Sequence, residues 1–295
     1  MLPIYIPQKV CSDYEGYSFF IECISNLKNV EFEDIIYDFN TTTWFEANLC
    51  AILGAIINTA QNNLNNTYIK NLNPHIEDIL SRNNFLVSFG GWELVDTKAT
   101  TVKYRRNKLT EEKLIKEFLY NELIRKQDFP KLSDIAQKEI VRSIFEIYSN
   151  AIIHGDCLYV YSCGQYYPNK KPPRIDFTIV DMGKTIKTNV NTFLKGNLSG
   201  KEAIEWAVKE QNTTKPKEDN IPGGLGFKLI IDFIERNNGK IQIVSSDGYW
   251  ELNKGTNLAS SFSYEFPGTI VNLEFNLDDR KFYYLKSEKA EDIIF

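Results

Sequence analysis

The sequence predicts an α/β protein in two units, a smaller one over residues 1–100 and a larger one over residues 101–295. Three observations carry this. In the first hundred residues, short β-branched and aromatic runs alternate with helical patterns, as βαβ units do. Beyond them the order becomes helix, strand, strand, helix, helix and then strands, which suits an α/β sandwich with helices on one face of a sheet. The chain has 295 residues and 43% hydrophobic content, enough to bury a full core and to fill two modest domains.

The elements follow in order. Ile35-Ile36-Tyr37-Asp38-Phe39 has the composition of a buried strand. A polar turn, Thr41-Thr42-Thr43, precedes a helix carrying Ala47, Leu49, Ala51, Ile52, Ala55 and Ile56. Tyr68-Ile69 is a further short strand, and Asn73 caps a helix that holds Pro74 in its first turn. Residues 96–108 are polar and mark the boundary. Their cluster of Lys103, Arg105, Arg106 and Lys108 reads as a phosphate- or partner-binding patch or as a solvated linker, and an acidic chain favours the linker. A charged amphipathic helix is expected over 111–126, then a longer one over 132–154 with Ile140, Ile144, Ile147 and Ala151 as its apolar stripe. Strands are expected over 158–163, 175–181, 240–245 and 270–277, with a shorter one at 249–252. Helices are expected over 201–209 and 227–237.

Composition narrows the function classes. A formal net charge of -5 disfavours general attraction to nucleic acid or an anionic membrane. Met1-Leu2-Pro3-Ile4-Tyr5 lacks the basic start and long apolar run of a signal peptide, and the apolar stretch from Ala47 to Ala60 is too short to span a bilayer. Five cysteines without a C-x-x-C pair suit reduced thiols in a cytoplasmic protein. With His75 and His154 as its only histidines, the chain has no histidine-rich metal site.

Three motifs carry chemistry. Glu146, Asn150 and His154 recur every four residues, a spacing that stacks side chains along one helix face. A general base, a metal ligand and a phosphate-contacting donor can thus project into one cleft, although His154 reads equally as a C-terminal cap beside Gly155. Asp181-Met182-Gly183 ends a strand in a carboxylate that can accept from an exocyclic amine, with a glycine permitting close approach of a flat base. Alone, such a sequence is more often a turn. Gly223-Gly224-Leu225-Gly226-Phe227 runs into an apolar helix, so its backbone N–H groups can meet phosphate oxygens; a hinge is the alternative. It matches neither the Walker loop nor the dinucleotide fingerprint. The preceding polar segment, 212–217, would fold over a nucleotide with Lys215 near the terminal phosphate, or form a solvated loop.

Taken in this order, the motifs resemble those of the GHKL superfamily of gyrase-, chaperone-, histidine-kinase- and mismatch-repair-type ATPases. Glu146-x-x-x-Asn150-Ala151-x-x-His154 is similar to its first box, Asp181-x-Gly183 to its adenine-binding box, Gly224-Leu225-Gly226-Phe227 to its glycine lid, and Gly268-Thr269 to its Gly-Thr pair. The resemblance covers residues 110–278 and implies a Bergerat-type α/β sandwich that holds ATP between helices and sheet. By position it implies Asn150 as the Mg²⁺ ligand, Glu146 as general base, and Asp181 as adenine acceptor supported by Thr269 through water. Gly183, Gly223, Gly224, Leu225, Gly226 and Phe227 would line base and phosphates, with His154 and Lys215 near the phosphates. The adenine box departs from the family pattern at Thr185, where a further glycine is usual.

The run Ser149-Asn150-Ala151-Ile152-Ile153-His154-Gly155 is most similar to the anti-sigma-factor serine kinases, which phosphorylate small STAS-type antagonists. Residues 30–90 resemble a STAS-like domain, so the chain looks like both halves of such a switch in one polypeptide. The acceptor serine turn of that family is replaced by Trp44-Phe45-Glu46-Ala47, which leaves Thr41, Thr42 or Thr43 as substitutes, or a docking domain that is not phosphorylated. A two-component histidine kinase fits less well, since His75 lies in a short helix far from any coiled-coil pattern. The expected function is therefore an Mg-ATP-dependent ATPase or serine/threonine kinase acting on a protein partner, the chain itself being a possible homodimer. The alternative is a non-catalytic, nucleotide-gated interaction module.

Overall fold

Residues Cys50–Asn62 form a helix that is apolar almost all round, with Cys50 through Asn58 and Ala60 buried. Such a helix needs cover on more than one side, and two sheets supply it. The structure is a computed structural model that describes residues 1–153, 155–209 and 225–290. Its first unit runs β1 (Leu2–Tyr5), β2 (Lys9–Val10), α1 (Tyr14–Leu27), β3 (Asp34–Asp38), β4 (Trp44–Phe45), α2 (Cys50–Asn62), β5 (Asn66–Lys70) and α3 (Pro74–Arg82). Strands β1, β3 and β5 form a parallel sheet with β3 central, and β2 pairs separately with β4. Asn73 caps α3 by accepting from the His75 and Ile76 amides, with Pro74 in the first turn.

The second unit runs β6 (Thr101–Asn107), α4 (Glu112–Phe118), β7 (Lys131–Leu132), α5 (Asp134–Ile153), β8 (Val160–Tyr167), β9 (Arg174–Asp181), α6 (Ile186–Leu194), α7 (Gly200–Val208), α8 (Leu225–Arg236), β10 (Lys240–Asn253), β11 (Thr256–Asn276) and β12 (Phe282–Tyr283). Five of these strands form an antiparallel sheet in the order β10-β11-β9-β8-β6. On one face Ile175, Phe177, Ile179, Ile243 and Val271 share a core with Ile140, Ile144 and Ile147 of α5 and Ile230 and Ile234 of α8. On the other, Tyr161, Cys163, Val180, Val244 and Ile270 share a core with α1 and α2. The layers are thus parallel sheet, α1 with α2, antiparallel sheet, then α5, α7 and α8.

Close approach and buried polar bonds join the two units. A Cβ on Gly54 would lie 2.3 Å from the Tyr104 hydroxyl of β6, so the glycine gives that ring its place against α2. Asn48, fully buried ahead of α2, donates through Nδ2 to Ser12 Oγ at 2.8 Å and, across the interface, to Thr178 Oγ1 at 2.9 Å and Asn272 Oδ1 at 3.2 Å. Arg174 meets Glu46 at 2.8 Å, Asp176 at 3.1 Å and Glu274 at 3.6 Å, while Lys240 meets Glu274 at 3.3 Å. Three carboxylates against two cations leave an excess negative charge there. Burial, followed by the Glu274 charge, pushes the Asp176 carboxyl well above the usual range.

Several expectations are corrected. Residues 101–107 form an edge strand of the sheet, not a linker. Their cations serve the fold: Lys103 donates to the Arg82 carbonyl at 2.8 Å, Arg105 lies 4.5 Å from the Phe118 ring centre, and Arg106 and Lys108 lie 3.7 and 5.5 Å from that of Tyr159. The strands expected at 240–245 and 249–252 are one strand, because a bulge with Ser246 at φ 54° bends it without ending it. The helix expected over 111–126 passes from α4 into a π-turn over Leu119–Ile124. Helix α8 already includes Leu225, two residues before its expected start. Among the described residues, no helix is long and apolar enough to cross a membrane.

Two substitutions test the interface in denaturant unfolding. Gly54→Ala, which drives a methyl into Tyr104, is expected to cost about 1–3 kcal/mol. Arg174→Ala, which leaves Glu46, Asp176 and Glu274 without their shared cation, is expected to cost about 3–5 kcal/mol.

Candidate functional site

Strand alternation places Asp181 on the helix-bearing face of the sheet, in line with Ile175, Phe177 and Ile179. It is the last residue of β9 and is 7% exposed. Its Oδ1 accepts from the Gly183 amide at 2.9 Å, and the carboxylate also accepts from the backbone N–H of Thr269, its ladder partner on β11. Among the described residues it forms no ion pair. Burial lifts this carboxyl from 3.8 to about 7, against the opposing pull of the two backbone donors.

Glycines close the wall around it. A Cβ on Gly155 would lie 2.1 Å from the Ala151 carbonyl oxygen and 3.3 Å from Asp181 Oδ1. One on Gly183 would lie 2.1 Å from the Gly155 carbonyl oxygen, which also accepts from the Lys184 amide at 2.6 Å. Gly268 takes a φ of 149° and passes so close to β9 that a Cβ would lie 2.1 Å from the Asp181 carbonyl oxygen. The Asp181 turn, the end of α5 and the Gly268-Thr269 turn therefore touch through backbone.

Helix α5 begins at a Ser133 cap, whose Oγ accepts from the Ala136 amide at 3.1 Å. Its apolar stripe lies on the sheet, leaving Glu146 and Asn150 half-buried along one edge. The Asn150 carbonyl accepts from the Gly155 amide at 3.2 Å, which ties the last turn of the helix to the wall beside Asp181. Glu146 lies one turn further back, with Arg142 Nε 3.8 Å from its Oε1. Asn150, Asp181, Gly183 and Thr269 thus converge at one end of the sheet.

The remaining expected residues divide. His154, Lys215, Gly223 and Gly224 lie outside the described residues. Leu225 and Gly226 are the first residues of α8, not part of a loop, and Phe227 is half-buried against the helix-side core. Thr185 caps α6, its Oγ1 accepting from the Thr188 amide at 3.1 Å, so the turn after Gly183 leads directly into a helix. The Thr269 hydroxyl lies 3.1 Å from Ser245 Oγ, and Ser245 also bonds the Gly268 carbonyl and the Ile186 amide, both at 2.9 Å.

Sequence reasoning missed Ser245, which braces the Gly268-Thr269 turn; a Ser245-Ser246 pair closing an apolar strand run was its only signal. It also missed Cys157, whose thiol donates to the Ala151 carbonyl at 3.1 Å and is pushed up to about 12 by burial and then by the Asp181 charge. Among the described residues, no cluster of three or more His, Cys, Asp and Glu could hold a metal ion. No family model matches the chain, and no curated protein matches it.

The Asp181 carboxyl gives a pH signature. Between 3.8 and about 7 the folded state holds a proton that the unfolded chain has lost, so this group's contribution to stability falls as pH rises through that window. Asp181→Asn is therefore expected to raise the melting temperature by a few degrees at pH 8, with the gain fading toward pH 4. Differential scanning calorimetry across that range checks it.

Proposed function

We propose that this chain is a GHKL-type Mg-ATP-binding protein that hydrolyses ATP or transfers its γ-phosphate to a serine or threonine of a protein partner, as a regulatory switch. The observation that carries this reading is Asp181: a buried carboxylate at a strand end, held among the described residues by backbone N–H groups, and walled by Gly155, Gly183 and Gly268. Such a group is suited to accept from the exocyclic amine of a flat base. The base would approach over the Gly155–Gly183 contact, on the face shared with α5.

Asn150 is the candidate Mg²⁺ ligand. A magnesium ion held largely by phosphates and water needs one or two protein oxygens and no cage of carboxylates, which suits the residues present. Glu146 is the candidate base for the attacking hydroxyl or water, and Arg142 would have to release it for that role. The pairing with Arg142 favours, as a second reading, a nucleotide-gated binding module without turnover. Gly223, Gly224 and Lys215 keep their proposed phosphate contacts on the strength of the resemblance alone.

The first unit, with its parallel sheet and helices, is proposed as a STAS-like docking unit and not as the acceptor. Glu46 is bonded to Arg174, at the opposite end of β9 from Asp181. Thr41, Thr42 and Thr43 immediately precede that segment, and β9 alone spans about 23 Å. Thr42 is also buried, its hydroxyl donating to the Ile6 carbonyl at 3.0 Å. The acceptor is therefore expected on another molecule.

Incubation of the purified chain with Mg-ATP labelled on the γ-phosphate, with and without candidate partner proteins, tests the proposal. Asp181→Asn is expected to weaken ATP binding by about tenfold or more. Glu146→Gln is expected to retain binding and lose about 10²–10⁴-fold in turnover. Binding without turnover under every condition selects the second reading, and absence of ATP binding overturns both.

A further inference from the structure

At the far end of β8 from Asp181, the two units border a half-open pocket of about 380 Å³, within the size range of small-molecule sites. Trp44 lies on one side, with the His75 ring stacked at 6.5 Å between centres and the Lys170 ammonium 4.8 Å from the indole centre. Ile76 and Ile79 of α3 supply an apolar wall. Lys98 and Lys170 both reach the cavity, and neither has a carboxylate partner among the described residues.

Gln165 points to what the cavity takes. It lines the space, is 7% exposed, and faces the first unit by alternation with Tyr161 and Cys163. Its Nε2 donates to the Tyr166 carbonyl at 3.0 Å, which fixes the amide orientation. Its Oε1 is buried with no hydrogen-bond partner. A buried acceptor left unmade is costly, and a ligand donor would satisfy it. The Arg82 guanidinium is largely taken by Asp78, Asp96 and Thr100, and those bonds hold the segment that presents Lys98.

We propose that this cavity binds a small planar acid. An aromatic or heteroaromatic ring lies along Trp44 and Ile79, donates an N–H or O–H to Gln165 Oε1, and directs a carboxylate or phosphate to Lys98 and Lys170. The site is separate from the Asp181 end of the sheet and does not rest on the assignment of ATP there. Occupancy bridges α3 of the first unit to the β8–β9 hairpin of the second.

Titration calorimetry on the full chain tests this with 4-hydroxybenzoate, indole-3-carboxylate and adenosine monophosphate, and with uncharged indole and adenosine as controls. The two adenine compounds are compared in the Asp181→Asn background, so that the Asp181 end does not contribute. At least one anionic probe is expected to bind below about millimolar. Binding by the two carboxylates or by the nucleotide tells which acid the cavity accepts. Gln165→Leu and Lys170→Ala are each expected to weaken that binding about tenfold, and Asp181→Asn to leave it unchanged. Lys170 is exposed, so its variant keeps the test valid if Gln165→Leu does not fold. The proposal is overturned if no anionic probe binds, if indole or adenosine binds as well as its acid, or if Lys170→Ala leaves affinity unchanged. It is also overturned if folded Gln165→Leu retains full affinity, since Gln165 Oε1 would then be satisfied internally, by a proton on Asp176 across the ladder.

Discussion

The rest of the structure depends on the burial of α2. A helix with Cys50 through Asn58 and Ala60 out of water has no solvent face to offer, so it can exist only between two apolar surfaces. One is the parallel sheet of its own unit; the other is the back of the antiparallel sheet, met through β6, β8 and β9. Each unit alone would expose a wide apolar face, and together they form one body whose interior includes hydrogen bonds from Asn48 to both units.

That arrangement divides the antiparallel sheet by function. Its α2-facing side packs against the first unit and is braced by ion pairs. Its other side carries α5, α7 and α8, and it is there that Asp181 emerges beside the end of α5. Because β9 is held on both faces, the carboxylate sits on a rigid strand end positioned by two turns, Asp181–Gly183 and Gly268-Thr269. A ligand acceptor gains from this, since little ordering is left to do on binding.

Much of this was legible in the sequence, for identifiable reasons. β-branched and aromatic runs located β3 and β9 closely, helical patterning located α5 and α7, and Asn73-Pro74 located the start of α3. What was not legible depends on distant partners. β6 reads as a linker because its cations are balanced by rings on Phe118 and Tyr159, far along the chain. The break at Ser246 reads as a strand end, although pairing with β11 carries the strand through it. At the site, the carboxylate and its glycines were legible from short spacings. Ser245 and Cys157 were not, because only the fold brings them to the turn.

The two buried aspartates of β9 bear on what the Asp181 end is for. Asp176 and Asp181 are five residues apart on one strand, face opposite sides of the sheet, and are both lifted by burial. Toward the first unit the fold supplies cations: Arg174 reaches Asp176 and Lys240 stands beside Glu274. On the helix side, among the described residues, it supplies Asp181 with the amides of Gly183 and Thr269 alone. A lysine or arginine at Asp181 would stabilise the fold, but it would also occupy the lone pairs and fill the space over the glycines. With no cation beside it among the described residues, the buried charge costs stability in the free protein and keeps a shaped acceptor open. That balance suits a neutral donor arriving from outside, as the proposed adenine amine would over the Gly155–Gly183 contact.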